Sequence, residues 1–142
     1  MDGLLYSDEL YKKIFLETKN IALIGASPKG ASRASWRVMK YLQLLGFKVY
    51  PVNPNAVGQK ILGEQVFSSL LDVPDKIDMV DIFRRSKYVK PIVEQAIKID
   101  ASFIWMQLGV IHEESAELAN SFGKIVIMDR CPAIEIPRLN LK

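Results

Sequence analysis

The stretch Asn20–Arg33, NIALIGASPKGASR, decides the fold. Asn20–Ile24 is an apolar run too short for a helix and closed by Gly25, which is the pattern of a buried strand. Beyond the loop, Ser35–Leu45 puts Val38, Leu42 and Leu45 on one stripe and predicts a helix that Gly46 stops. Strand, glycine-bearing loop and helix in that order make the first half of a βαβ unit. Lys48–Val52 supplies the second strand, ended by Asn53-Pro54. The alternation then continues. Ile77–Phe83, Ala101–Leu108 and Ile125–Asp129 read as strands, and Ser86–Ile99 and Glu113–Phe122 as helices. Ser86 is the expected cap of its helix, and Pro91 should bend or delay the start. At the front, Ser7 caps a helix over about residues 7–19. Residues 53–64 are a turn-rich excursion, Gln65–Phe67 a short extension of it, and Ser68–Leu71 one helical turn. The tail Cys131–Lys142 carries two prolines and shows no clear period. The sum is an α/β fold: a doubly wound, mostly parallel five-stranded Rossmann-like sheet with helices on both faces, in a single domain over residues 1–142.

Composition narrows the class. With 142 residues, 49% hydrophobic and 25% charged, the chain has one domain's worth of core and is not dominated by disorder. No apolar run approaches membrane-spanning length, and MDGLLYSDEL lacks the basic-then-apolar order of a leader, so a cytoplasmic protein without membrane attachment is expected. One cysteine forms no internal disulfide, and one histidine with one cysteine makes no metal set. A net charge of +3 is too mild for a nucleic-acid surface and suits a small anionic ligand.

In a doubly wound sheet, ligands sit beyond the carboxyl ends of the strands, near the switch in strand order. That rule selects the loops after Ile24, Val52, Phe83, Leu108 and Asp129. In the first of them, Gly25 permits a sharp turn and the close approach of a phosphate. Amides at the following helix start offer an anion site. Ser27, Ser32 and Ser35 add hydroxyls, and Lys29 and Arg33 add charge. With Lys60 and Arg84 or Arg85, these cations are expected to surround one ligand bearing several separated phosphates. Lys60 and Arg85 read equally well as solvated surface charges.

Two phosphate motifs fail. The triphosphate loop needs a lysine where Ala31 stands, and the dinucleotide fingerprint needs a glycine where Ser27 stands. The acid that grips a dinucleotide's ribose is replaced by Asn53. An NAD(P)-dependent oxidoreductase is therefore the weaker alternative. His112 sits just before a helix and reads as a cap rather than a base. Asp81, near a strand end, is expected to accept from a backbone amide or from Arg84. Cys131 follows the last strand beside Arg130. It reads either as an inert buried thiol or as a reactive one placed to form a mixed disulfide with a thiol ligand.

Six segments in order carry a resemblance: IALIGASP (21–28), VYPVNPN (49–55), ILGE (61–64), VDIFRRS (80–86), WMQLGV (105–110) and MDRCPAIE (128–135). Together they resemble the small stand-alone CoA-binding proteins, similar to the N-terminal CoA domain of the succinyl-CoA synthetase alpha subunit. The resemblance implies coenzyme A, or an acyl-CoA, as ligand. It implies that Gly25, Ala26, Ser27, Lys29, Arg33 and Ser35 hold phosphates, and that Asn53, Pro54 and Lys60 line the adenosine. It further implies that Ile82, Phe83 and Arg84 contact the nucleotide and the start of the pantetheine arm. Trp105, Gln107 and Gly109 would lie along that arm, with Cys131 toward the thiol end. Lys87 stands where the family often carries an acid. The larger synthetase's phosphohistidine domain and partner subunit have no counterpart segment here, so binding without thioester synthesis is expected. A second copy of the chain or another protein partner stays open.

Overall fold

The computed structural model describes residues 5–141. Residues 1–4, part of the stretch read for a leader, and residue 142, the end of the tail, lie outside it. The element order is α1 (Asp8–Glu17), β1 (Asn20–Ile24), α2 (Ala34–Leu44), β2 (Lys48–Val52), β3 (Lys60–Ile61), β4 (Glu64–Gln65), β5 (Met79–Ile82), α3 (Val89–Lys98), β6 (Phe103–Met106), α4 (Glu113–Ser121), β7 (Ile125–Ile127) and α5 (Pro132–Arg138). Five strands form one sheet in the order β2-β1-β5-β6-β7, every neighbouring pair parallel. The order reverses between β1 and β5, so the switch lies there.

Both faces are covered, and strand alternation decides which residue meets which helix. Ile21, Leu23, Met79, Phe103, Trp105 and Ile127 pack with Tyr11, Ile14 and Phe15 of α1, Val38, Met39 and Leu42 of α2, and Ile136 of α5. Ala22, Ile24, Val80, Ile82, Ile104 and Met106 pack with Val89, Val93 and Ala96 of α3 and with Ala116 and Ala119 of α4. Each large aliphatic or aromatic side chain so buried contributes about 1.5–3 kcal/mol of transfer free energy.

Local chemistry sets the element ends. Ser7 accepts from the Leu10 amide at 3.1 Å and caps α1. Gly46, at φ 99°, closes α2: its amide reaches the Gln43 carbonyl at 3.0 Å and the Phe47 amide reaches Leu42 at 3.1 Å. His112 caps α4, Nδ1 accepting from the Ser115 amide at 3.2 Å.

Several expectations are corrected. The last three strands of the sheet are shorter than their apolar runs. Ser86 does not cap α3. A single 3-10 turn over Ser86–Tyr88 precedes the helix, consistent with Pro91 delaying it, and the Ser86 hydroxyl accepts from the Ile111 amide instead. The excursion is an antiparallel hairpin, β3 with β4. The tail is helical: Pro132 occupies a first-turn position, where its missing N–H costs nothing. No helix among the described residues is long and apolar enough to cross a membrane.

Asp81 is the sharpest departure. It sits in β5 between Leu23 and Trp105, wholly buried, and neither carboxyl oxygen has a hydrogen-bond partner. Arg84 turns elsewhere, over the Tyr88 ring. Burial alone pushes the Asp81 carboxyl well above its ordinary value of 3.8. An acid whose folded-state pKa is raised stabilises the fold relative to its charged form at low pH. That advantage is lost as pH rises above the unfolded value, near 4, toward the folded one. Asp81→Asn, which cannot ionise, should therefore flatten the decline in stability between pH 5 and pH 8. Denaturant midpoints across that range check this, and parallel pH profiles for the two proteins would contradict it.

Candidate functional site

The carboxyl rim at the β1–β5 switch is built around Gly25. Its φ is 89°, and a Cβ there would overlap the Phe83 carbonyl oxygen and press on the Arg84 side chain. Glycine is thus required by the neighbouring strand's own backbone. The Gly25 and Ala26 amides both donate to the Val52 carbonyl, at 2.9 and 3.3 Å. Asn53 completes the clamp: its Nδ2 donates to the Ala26 carbonyl at 2.8 Å, and its Oδ1 accepts from the Asn55 amide at 2.9 Å. Further on, the Ser27 amide donates to Ser35 Oγ at 3.2 Å, and Ser27 Oγ accepts from the Lys29 amide at 3.2 Å. A short 3-10 turn, Gly30–Ser32, then delivers the chain to α2.

The start of α2 lacks a side-chain cap. Its N-cap is Arg33, which makes no capping hydrogen bond, and the first turn holds no acid. The first amides of a helix normally find an acceptor, and the local dipole favours an anion. Arg37 lies one turn along, its guanidinium donating to the Ala31 carbonyl at 2.6 Å.

Beside this helix start lies a hollow of about 350 Å³, lined by Ala34, Arg37, Val38, Phe83, Gln107, Leu108, Cys131 and Ala133. It draws on the loops after β5, β6 and β7 together with α2 and α5. Gln107 is 5% exposed, and its Oε1 is buried without a hydrogen-bond partner. A buried amide oxygen left unpaired costs about 1–3 kcal/mol, so a donor entering the hollow would recover it. A second hollow, about 150 Å³, lies toward α3 and includes Ile24, Pro54, Ser68, Ser69 and Arg84 in its wall.

The expected site residues divide accordingly. Gly25, Ala26 and Ser27 form the loop, which is tied to the Val52 carbonyl and to Ser35 of α2. Phe83, Gln107 and Cys131 line the larger hollow; Pro54 and Arg84 line the smaller. Ile82 and Trp105 are wholly buried, and the Trp105 indole N–H is spent on the Arg130 carbonyl at 2.9 Å. They support the rim from behind. The Gly109 amide is likewise committed, donating to Asp129 Oδ1 at 2.7 Å.

The cations are not gathered in one hollow. Lys29 and Arg33 are exposed on the loop, and Lys60 lies on the hairpin strand β3. The hairpin's Leu62 carbonyl accepts from Gln43, and Glu64 pairs with Lys48. The hairpin therefore leads from the rim toward the amino end of β2, and none of these three cations lines either hollow.

Sequence reasoning missed Arg37, Leu108 and Ala133. Arg37 is four residues after Arg33, on the same helix face, and that spacing was a usable signal. Ala133 was hidden because the tail's prolines read as breakers.

The profile of a family described as "CoA binding domain" matches residues 19–137. The chain belongs to the CoA-binding domain family. The Bacillus subtilis (strain 168) protein YneT is 36% identical over 120 residues, covering 84% of this chain and 87% of YneT. A solved structure of a protein from Pyrococcus horikoshii OT3 superposes with a TM-score of 0.90 at 41% identity, covering 99% of this chain and 95% of that one. An ADP-forming acetate–CoA ligase from Methanocaldococcus jannaschii is 29% identical over 131 residues. Those residues make up 87% of this chain and 18% of the ligase, so the chain matches only one part of that longer protein.

Within this CoA-binding domain, Gly25 is the residue on which the rim's geometry depends. Gly25→Ala should lower stability by at least about 2 kcal/mol, from left-handed strain plus the overlap with Phe83. Urea denaturation measures it, and an unchanged midpoint would show that β1 and β5 can separate freely at their ends.

Proposed function

We propose that the chain binds coenzyme A, or an acyl-CoA, across the carboxyl rim of the sheet. The diphosphate lies at the uncapped start of α2, and the pantetheine arm runs into the larger hollow. The observation that carries this reading is the continuity of the two features: Ala34 and Arg37 of the helix start also line the hollow that holds the unpaired Gln107 oxygen. One end suits an anion and the other suits a mostly apolar chain with an amide N–H, as a pantetheine arm has. Lys29 and Arg33, exposed on the loop, add long-range attraction for the phosphates. Arg84 with Ser68 and Ser69 in the smaller hollow suits the ribose phosphate end.

The nicotinamide dinucleotide alternative gains nothing from this arrangement. The Asn53 side chain is engaged at both ends, by Ala26 and Asn55, so the usual ribose-gripping position offers no acid and an amide already tied to the loop. CoA thus supplies recognition chemistry to which the rim has matching groups: a diphosphate, a ribose phosphate, two amides and a thiol. The ligase activity named for the M. jannaschii relative is not attributed to this chain, which spans 18% of that protein.

Isothermal titration calorimetry tests the proposal. CoA should bind more tightly than ADP, NAD or NADP, and added salt should weaken it. Arg33→Ala and Lys29→Ala should each lower CoA affinity about fivefold, on the order of 1 kcal/mol for the loss of one nearby exposed charge. Tighter binding of NAD than of CoA, or affinities indifferent to both substitutions and to salt, would contradict it.

A further inference from the structure

We propose that Cys131 exchanges disulfides with CoA disulfides, holding one CoA on the protein as a mixed disulfide. This rests on the reading that CoA occupies the rim with its thiol end in the larger hollow. Cys131 is the chain's single cysteine. It is 6% exposed, so attack from bulk solvent is restricted, yet it lines the 350 Å³ hollow. Its thiol makes no capping hydrogen bond at the head of α5.

A second observation points to the same ligand. Gln107, from the next strand's rim loop, contributes a buried amide whose oxygen has no partner to the same hollow. A pantetheine arm bears amide N–H groups near its sulfur. An arm that satisfied Gln107 would bring its terminal sulfur beside Cys131, since the two residues share one small hollow. Arg37 supplies a positive charge in the same wall. The remaining walls are apolar, from Ala34, Val38, Phe83, Leu108 and Ala133.

The chemistry balances without an outside oxidant. Cys131 gives its thiol proton to solvent, and its Sγ attacks the docked sulfur of a disulfide between CoA and a second thiol. The new bond joins Cys131 Sγ to the CoA sulfur. The old sulfur–sulfur bond breaks, and the second thiol leaves as thiolate and takes a proton from water. One disulfide is exchanged for another, and the total oxidation state is unchanged. Exchange with a free thiol reverses the step.

The test uses the full-length protein and symmetric CoA disulfide, read by intact mass. One CoA should add per chain, and excess thiol should remove it. Addition should be about tenfold or more faster than with glutathione disulfide, which has no nucleotide to dock. Excess ADP should slow the CoA reaction without affecting the glutathione one. Cys131→Ser should take up no CoA from the disulfide; Cys131→Ala provides the same control should the serine variant misfold. No adduct in protein that binds CoA by calorimetry would overturn the inference while leaving the binding proposal standing. Equal rates for the two disulfides, unaffected by ADP, would also overturn it, since Cys131 would then be merely an accessible thiol. Absence of CoA binding altogether would instead remove the binding proposal on which it rests.

Discussion

The rim depends on a single close approach: the backbone of Gly25 lies against the carbonyl of Phe83, where the two central strands end. Any side chain at residue 25 would push β1 and β5 apart. With the strands held together, the loop after β1 has one direction in which to leave. It leans toward β2, where the Val52 carbonyl takes the Gly25 and Ala26 amides and Asn53 takes the Ala26 carbonyl. The loop after β5 carries Arg84 over the Tyr88 ring, in the wall of the smaller hollow. The opening between them is where strand order reverses, and both hollows lie against it.

The site follows from a mismatch between donors and acceptors on this rim. Inside the loop, hydrogen bonding is thorough: Ser27 with Ser35, Lys29 with Ser27, Asn53 with Ala26 and Asn55. At the start of α2 it stops, with an arginine in the cap position and no acid in the first turn. Across the hollow, Gln107 has the opposite need, an acceptor without a donor. A rigid loop that satisfies itself and leaves both kinds of group facing one opening is preorganised for a ligand carrying phosphate at one end and amides along its length. Asp81, also unpaired, lines neither hollow; burial pushes its carboxyl upward, toward the neutral form.

The sheet was legible because its strands are short apolar runs separated by amphipathic ones, and two-sided burial requires that pattern. Ser7 and Gly46 could be read because capping is local chemistry. Other features depend on contacts between distant residues and left no mark on a linear reading. Asp81 looked like a residue that would find a partner at a strand end, but the pleat turns it inward between Leu23 and Trp105. Lys60 looked like a rim cation until its hairpin folded down along β2. Trp105 and Ile82 matched site motifs yet face the core. The helix α5 was obscured by its own prolines, although Pro132, Glu135 and Ile136 already had helical spacing. The loop positions were readable from topology, whereas the direction of each side chain required the fold.

The central claim is that one rim, the start of α2 together with the Gln107 hollow, receives the cofactor. Backbone and side-chain amide NMR shifts during CoA titration test it most directly. The account predicts the largest changes at the Ala34, Ser35 and Trp36 amides and at the Gln107 side chain, with the amino end of the sheet undisturbed. Changes centred on the apolar groove of Phe15, Leu45, Phe47 and Ile136 at the far end, with the start of α2 silent, would contradict it.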